Sequence, residues 1–250
     1  MYHLFQVIFY QPILNLLVFL YNNASFHDLG LAIILLTVVI KLILWPLSRK
    51  SIQSQQSLQE LQPKIDALKA QYKDKQAEMG KALMDLYKQH KVNPFSSCLP
   101  LLLQLPFFIA VYQVFKDDLS KHLDLVYPFI TRPEAINSVF LGFLDLSKPS
   151  IYLAVLAGLA QFWQAKMMMA KRSKNKPVGT GSKDESMAAI MNKQMLYFMP
   201  ALTIFIGVTL PGGLTLYWLV LTLLTVLQQF LVVKAQKNTG SPVIEGEIIK

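Results

Sequence analysis

Residues 35–47 read LLTVVIKLILWPL, an apolar run that carries a single charged side chain, that of Lys41. The run extends back to Leu29, and a bilayer core of about 30 Å needs about 20 apolar residues of helix to cross it. This stretch therefore predicts a first membrane-spanning helix that ends at Leu47. A lysine at the centre of such a helix costs roughly 2.5–3.5 kcal/mol on insertion scales, so its presence requires a physical reason.

The composition of the chain indicates a membrane protein with several spans. Of its 250 residues, 53% are hydrophobic and 16% are charged, whereas a soluble domain has about 25% charged residues. The one cysteine, Cys98, excludes an intrachain disulfide, and the four histidines have no metal-site spacing. The sequence also has no Gly-rich phosphate loop. We therefore predict no metal site, no cofactor and no enzymatic activity.

The hydropathy pattern predicts an all-α polytopic protein with five core spans. The short fourth run is joined tightly to the fifth by Pro211-Gly212-Gly213, which is typical of a minimal turn. The predicted segments are an N-terminal segment (1–27), five spans (28–47, 94–116, 150–169, 194–210 and 214–233), a helical hairpin (48–93), two loops (117–149 and 170–193) and a tail (234–250).

The charges between the spans predict the orientation. Segment 48–93 contains nine Lys or Arg residues, whereas 116–149 contains four against five acids. Because cytoplasmic loops are enriched in Lys and Arg, we expect the hairpin and the 170–193 loop to be cytoplasmic. The N-terminus is then outside and the C-terminus in the cytoplasm. The net charge of +9 is explained by this topology, so no nucleic-acid binding is expected.

The N-terminal stretch 3–21 is apolar, but Gln6, Gln11, Pro12 and Asn15 interrupt it. This pattern favours an amphipathic helix lying in the outer membrane interface. The alternative is a sixth, uncleaved span with the N-terminus inside, which leaves the other five spans unchanged.

The hairpin segment has a regular apolar periodicity on either side of a polar break at 73–76. Spacings of three and four residues indicate two short helices that pack as an antiparallel coiled coil. Such short seams are not stable alone, so the hairpin should be mobile and rest on a partner or the membrane. A solvated loop with accidental periodicity is the alternative. The apolar positions are Leu58, Leu61, Ile65, Leu68 and Tyr72, then Met79, Leu83, Leu86 and His90.

The predicted spans contain further polar, uncharged side chains that can surround Lys41, and no predicted span contains an acid. Snorkelling of Lys41 to the inner headgroups is possible six residues from the predicted helix end, but Arg49 and Lys50 already anchor that end. We therefore predict a hydrated cavity whose missing negative charge arrives with a ligand. The polar residues are Thr37, Gln104, Gln161, Gln164, Thr215 and Thr222.

Residues 93–112, NPFSSCLPLLLQLPFFIAVY, closely resemble the NPxxxCxPxxxQxPxFxxxY signature of the YidC/Oxa/Alb membrane protein insertases. The resemblance extends over almost the whole of residues 28–233. It includes LQPKIDALKAQY in the hairpin, GLAQFWQAKMM in the third span and MPALTIFIGVTLPGGLTLYWLVLTLLTVLQQ in the last two.

The resemblance implies a fold of five core helices around a hydrophilic groove that is open to the cytoplasm and to lipid. Lys41 is at the position where the family usually has an arginine, so a bidentate grip on a carboxylate is lost while the charge is kept. The groove residues implied are Lys41, Thr37, Gln104, Gln161, Gln164 and Trp218. Those implied at the cytoplasmic mouth and hairpin are Leu61, Pro63, Tyr72, Met167 and Met168.

The implied function is insertion and assisted folding of newly made membrane proteins, by a short bacterial form in the cytoplasmic (inner) membrane. The implied partners are nascent membrane proteins, lipid, the ribosome or targeting machinery, and the Sec translocon. A small-solute or anion transporter or channel is the main alternative, although we find no internal repeat of the kind such proteins have. An assembly chaperone without insertion activity is a third possibility.

Overall fold

The computed structural model describes residues 2–72, 75–90, 92–93, 99–116, 123–170 and 194–238. These residues are mostly helical, consistent with the all-α protein that the sequence predicts. Helix α1 comprises Tyr2–Phe5, a π-helical stretch at Gln6–Tyr10 and Gln11–Asn23; the others are α2 (Leu29–Ile43), α3 (Trp45–Gln71), α4 (Gln76–Gln89), α5 (Leu99–Lys116), α6 (Ile151–Ala170), α7 (a π-helical turn, Gln194–Phe198, then Met199–Gly207) and α8 (Gly212–Asn238). Two short antiparallel strands, β1 (Val139–Phe140) and β2 (Leu144–Asp145), lie between α5 and α6.

Helix α8 is at the centre of the bundle. It packs against α2 and α6, while α7 packs on α6, and α1 packs on α2 and α5. The buried core that these contacts create includes Leu14, Leu36, Leu214 and Tyr217. A β-carbon on Gly158 of α6 would overlap the side chain of Ile204 on α7, so a small residue is needed where these two helices approach closely.

Within the described part of the chain, two helices are long and apolar enough to cross a membrane, namely His3–Asn23 and Gly212–Ala235. The bent pair Leu29–Ile43 and Trp45–Gln71 is a third candidate if it forms one span. Helices α5, α6 and α7 overlap the second, third and fourth predicted spans, 94–116, 150–169 and 194–210. Helix α1 meets the length requirement, and its buried face belongs to the bundle. Both predictions for residues 3–21, an interfacial helix and an additional span, stay predictions.

The chain bends by 69° at Leu44, between α2 and α3. Pro46 lies in the first turn of α3, where its missing N–H costs nothing, but it cannot donate to the carbonyl of Leu42 and continue α2. Helix α2 therefore ends at Ile43 and not at the predicted Leu47. As a result Lys41 lies in the last turn of its helix, closer to the helix end than the six residues expected from the sequence.

The turn between α7 and α8 is short, as Pro211-Gly212-Gly213 predicts. The backbone N–H groups of Gly212 and Gly213 donate to the carbonyls of Lys148 and Leu146, both at 2.9 Å. These N–H groups begin α8 and have no partner within it. The segment before α6 therefore caps the central helix of the bundle.

Asn15 ties α1 to the segment that follows α5. Its side chain is 2% exposed; Oδ1 accepts from the N–H of Tyr127 at 2.6 Å, and Nδ2 donates to the carbonyl of Gln11 at 2.8 Å. The polar interruption of the N-terminal stretch is thus a buried tie between two parts of the chain.

Replacing Asn15 by leucine is expected to lower the free energy of unfolding by about 1–3 kcal/mol, because the N–H of Tyr127 loses its acceptor. Thermal unfolding of the purified protein in detergent measures the effect. Asn23→Leu is the matched control, since Asn23 is exposed and bonds only to the carbonyl of Phe19 in its own helix. Equal melting temperatures for the two variants would contradict the role given to Asn15.

Helices α3 and α4 lie in the segment predicted as a hairpin. Helix α3 ends at Gln71 and α4 begins at Gln76, close to the polar break predicted at 73–76. Leu61 and Ile65 of α3 are buried, whereas α4 has no fully buried residue. At the open end, Lys64 Nζ and His90 Nε2 are 3.3 Å apart. The hairpin is therefore held on its α3 side, and α4 is its outer helix.

The hairpin is expected to weaken as the pH falls below about 6.5, the ordinary pKa of histidine. Partial burial and the positive charge of Lys64 lower the pKa of His90, so the folded hairpin binds a proton less readily than the unfolded one. Lys64→Gln should raise the pKa of His90 toward its ordinary value, and Lys69→Gln should leave it unchanged. An NMR titration of the His90 imidazole measures this; identical titrations in all three proteins would show that the contact with Lys64 does not form.

Candidate functional site

Lys41 is held inside the bundle by a contact between α2 and α8. Its side chain is 8% exposed, and Nζ donates to Thr225 Oγ1 at 2.9 Å. The hydroxyl of Thr225 in turn donates to the carbonyl of Leu221 at 2.7 Å. Because a hydroxyl has one proton and two lone pairs, this second bond leaves a lone pair directed at the ammonium group.

A cavity of about 260 Å³ surrounds this contact, and we call it the Lys41 cavity. Its lining comes from α2, α3, α5, α6 and α8, so five separate segments of the chain create it. Most of the lining side chains are amides, hydroxyls or large adaptable apolar groups. The lining residues are Lys41, Ser48, Ile52, Gln55, Gln104, Gln164, Met168, Trp218, Leu221, Thr222, Thr225, Gln228 and Gln229.

The electrostatics of the Lys41 cavity are one-sided. Among the residues that the structure describes, the ion pairs are Lys75–Glu78 and Lys148–Asp145, and neither involves Lys41. Lys41 lies in the last turn of α2, where the partial negative charge of the helix C-terminus favours a cation by a few tenths to about 1 kcal/mol. The helix end therefore helps to retain the charge without neutralising it, and the cavity favours an anionic guest.

Four of the six groove residues expected from the sequence lie together in this cavity: Lys41, Gln104, Gln164 and Trp218. The indole of Trp218 meets the ring of Phe108 edge-on, with centroids 5.7 Å apart. Gln104 Nε2 donates to the buried hydroxyl of Tyr217, which orients the amide. Three predicted spans thus contribute side chains to one polar space around the lysine.

The other two expected groove residues do not line this cavity. Thr37 is fully buried, and its hydroxyl donates to the carbonyl of Ile33 at 2.6 Å within its own helix. Gln161 Oε1 accepts from the hydroxyl of Thr203, so this amide joins α6 to α7.

The sequence analysis missed several residues that line the cavity. Ser48 and Gln55 belong to α3, which the bend at Leu44 brings beside the lysine. On α8, the positions 218, 222, 225 and 229 are spaced four, three and four apart, which places them on one helix face. That spacing was visible in the sequence. The missed residues are Ser48, Gln55, Thr225, Gln228 and Gln229.

A second cavity of about 240 Å³ lies next to the first, and we call it the Gln56 cavity. It includes Met167 and Met168, two residues expected at the mouth. Its lining is formed by Ile52, Gln55, Gln56, Gln59, Met167, Met168, Gln229, Phe230 and Val233.

The remaining hairpin residues expected at the mouth line neither cavity. Leu61 is 2% exposed and belongs to the buried side of α3, whereas the ring of Pro63 is exposed within the same helix. Tyr72 follows the end of α3 and is half-buried. These three residues shape the hairpin, and the cavities begin on the bundle side of it.

Comparisons with known proteins agree with the resemblance seen in the sequence. A family model described as the 60Kd inner membrane protein matches residues 19–239. This chain is 36% identical over 210 residues to each of two curated relatives named membrane protein insertase YidC. One is from Francisella tularensis subsp. novicida (strain U112) and the other from subsp. tularensis (strain SCHU S4 / Schu 4). The match covers 84% of this chain and 33% of each relative. The chain thus spans about a third of the length of the curated relatives it matches.

Proposed function

Because the chain belongs to the YidC/Oxa/Alb family of membrane protein insertases, we propose that it inserts newly made membrane proteins into the cytoplasmic membrane of a bacterium. The family and the apolar helices together indicate a multi-pass membrane protein. The observation that carries the proposal is Lys41, a lysine among amides and hydroxyls that forms no ion pair with any described residue.

The costly step in insertion is the passage of a polar, often acidic, segment through hydrocarbon. A charged side chain at the bilayer centre costs several kcal/mol, on the order of 3 on insertion scales. A polar cavity reaching from one membrane surface toward the middle would shorten this apolar path. Lys41 would offer a carboxylate a transient partner where the dielectric is lower than in water and attraction is stronger. The apolar helix of the substrate would then leave sideways into lipid.

We propose an orientation in which the α3–α4 hairpin faces the cytoplasm and the segment between α5 and α6 lies outside. The concentration of Lys and Arg in 48–93 supports it. The Lys41 cavity would then lie toward the cytoplasmic side, because α3, the first helix of the hairpin, contributes part of its lining. An opening to the cytoplasm is what the family resemblance implies. Five spans, α2 and α5 to α8, would form the core around this groove.

The hairpin and the methionines support a role in capturing incoming chains. Helix α4 has no fully buried residue, so it can move without disrupting the core. Met167 and Met168 line the Gln56 cavity, and methionine adapts its shape to varied partners. The proposed partners are nascent membrane proteins and lipid, with the ribosome or targeting machinery and the Sec translocon delivering substrates.

Reconstitution into liposomes tests the proposal. The purified chain is incorporated, a short single-spanning substrate with an acidic tail is synthesised outside, and protection of the tail from protease is measured. We expect protection to exceed that of protein-free liposomes several-fold. Chloride efflux from the same liposomes tests the channel alternative: efflux without tail protection would overturn the insertase proposal, and so would refolding of a substrate in detergent without protection in liposomes.

A further inference from the structure

The Gln56 cavity has a feature that the Lys41 mechanism does not use. Two of its amide oxygens, Gln56 Oε1 and Gln229 Oε1, are buried without a hydrogen-bond partner among the described residues. A third such oxygen, Gln228 Oε1, belongs to the lining of the Lys41 cavity next to it. The exposed fractions of these side chains are 8% for Gln56, 5% for Gln229 and 0% for Gln228.

Buried polar groups without a partner are rare because desolvation of the acceptor is not compensated. Three of them at the junction of two cavities indicate a guest that carries hydrogen-bond donors. The orientation of one amide is set by the protein itself, since Gln228 Nε2 donates to the carbonyl of Trp45 at 3.3 Å. The oxygen of that amide is therefore the atom left for a guest.

The rest of the lining restricts the chemistry of the guest. The lining also includes apolar side chains, among them those of Met167, Phe230 and Val233, and none of the described residues that line the Gln56 cavity is charged. A metal ion or an ammonium group would find no carboxylate among these residues and would lie beside the cavity that holds Lys41. The guest should be uncharged and should carry both N–H donors and apolar groups.

We propose that the Gln56 cavity binds the backbone of an extended polypeptide segment, whose N–H groups donate to the amide oxygens of Gln56 and Gln229 and, further along, of Gln228. An extended chain exposes N–H donors along its length, and its side chains alternate between two faces, so it meets both requirements. Glutamine amides recognise the backbone whatever the side chains are. The methionine wall accepts side chains of different shapes.

This inference rests on the proposed function and adds a step before it. An unfolded segment of the substrate is held in the Gln56 cavity through its backbone, and its acidic residues then reach Lys41 in the adjoining cavity. The two cavities share Ile52, Gln55, Met168 and Gln229, so one segment can extend from the first into the second.

Backbone N-methylation tests the proposal without changing the protein. A short uncharged apolar peptide with a fluorescent label is compared with the same peptide methylated at alternate backbone nitrogens, and binding to this chain in nanodiscs is measured by fluorescence anisotropy. Loss of two or three hydrogen bonds should weaken binding roughly ten-fold or more. Equal affinities of the two peptides would overturn the proposal and would indicate that only water hydrogen-bonds to these amide oxygens.

Variants locate the site. In Gln56→Leu/Gln229→Leu the unmethylated peptide should bind about as weakly as the methylated peptide binds the natural chain, and methylation should have little further effect. The control is Gln53→Leu, one turn away on α3 and outside both cavities. Because leucine removes buried unsatisfied acceptors, the double variant should melt no lower than the natural chain. A marked drop in its melting temperature, with methylation still effective, would give the amides a structural role and overturn the proposal.

The peptide assay tests the backbone site and the liposome assay tests insertion, so a negative result in one does not decide the other. Tail protection without methylation-sensitive peptide binding would leave the insertase proposal standing and overturn the backbone site. Methylation-sensitive binding without tail protection would support the site and overturn insertion.

Discussion

Replacing Lys41 by glutamate is expected to reduce insertion of a substrate with an acidic tail by more than about ten-fold, because one attraction becomes a repulsion in a cavity of low dielectric. Two unit charges 4 Å apart interact by about 4 kcal/mol at an effective dielectric constant of 20, and about 1.4 kcal/mol changes a rate ten-fold. The structure gives the substituted side chain a poor environment, since the end of α2 also disfavours an anion. Depletion of the host insertase, complementation with each variant and protease protection of the tail provide the measurement.

The other substitutions at this site separate charge from shape. Lys41→Arg keeps the charge and should insert the substrate nearly as well as the natural chain, whereas the defect of Lys41→Ala should grow with the number of acids in the tail. Thr225→Val removes the acceptor of the Lys41 ammonium but not its charge, so its effect should be smaller than that of Lys41→Glu. Lys81→Glu, on the exposed surface of α4, controls for the change in net charge.

The electrostatic role would be wrong if Lys41→Glu inserted an acidic tail as well as the natural chain. It would also be wrong if the defect were the same for a neutral tail. A general loss of folding is excluded by comparing the melting temperatures of the glutamate and arginine variants in detergent.

Gly30→Ala is expected to lower the free energy of unfolding by about 1–3 kcal/mol, the usual cost of overpacking a core. Gly30 is in the first turn of α2, and a β-carbon there would overlap the ring of Phe140 on β1. This ring is the contact through which the β-hairpin packs on α2, so either the ring or the strand must move. Removing the ring in the double variant Gly30→Ala/Phe140→Ala should make the alanine at position 30 cost much less than it does in the natural background.

The matched control is Gly80→Ala on α4, where a β-carbon would have no neighbour within 4 Å. There alanine should be neutral or should stabilise the helix by up to about 1 kcal/mol, because glycine has the greater conformational freedom in the unfolded chain. Thermal unfolding in detergent of the five proteins, namely the natural chain, Gly30→Ala, Phe140→Ala, the double variant and Gly80→Ala, completes the test. If the two positions respond alike, or if Phe140→Ala does not reduce the cost at Gly30, the close packing between β1 and α2 is not formed.

Much of the helical architecture could be predicted because its signals are local. Apolar runs, the Pro211-Gly212-Gly213 turn and the three- and four-residue spacing of the hairpin each act through neighbouring residues. The polar break predicted at 73–76 overlaps the point where α3 and α4 separate. The helix end at Ile43 was missed because Pro46 is compatible with two outcomes, a kinked continuous helix or the start of a new one.

The residues of the Lys41 cavity also divide into those that the sequence predicts and those that it does not. A lysine in an apolar run needs polar surroundings, and this requirement alone led to Gln104 and Gln164 as its neighbours. The same requirement also selected Thr37, whose hydroxyl bonds within α2, and Gln161, whose amide oxygen accepts from Thr203 on α7. Thr225 is the residue that Lys41 contacts, and a threonine on an apolar helix resembles any other threonine until a partner faces it.

The sequence by itself determined that this chain is an all-α membrane protein, to which family it belongs, and that one lysine in its first apolar run has no acid in any predicted span. Only the tertiary structure decided which polar side chains meet that lysine, that α3 forms a wall of the cavity, and that three amide oxygens near it have no hydrogen-bond partner among the described residues. The reason is physical. In a soluble helix, water marks the polar face, but a helix that is apolar all round takes its rotation from packing against its neighbours. A sequence pattern along one helix does not contain that contact.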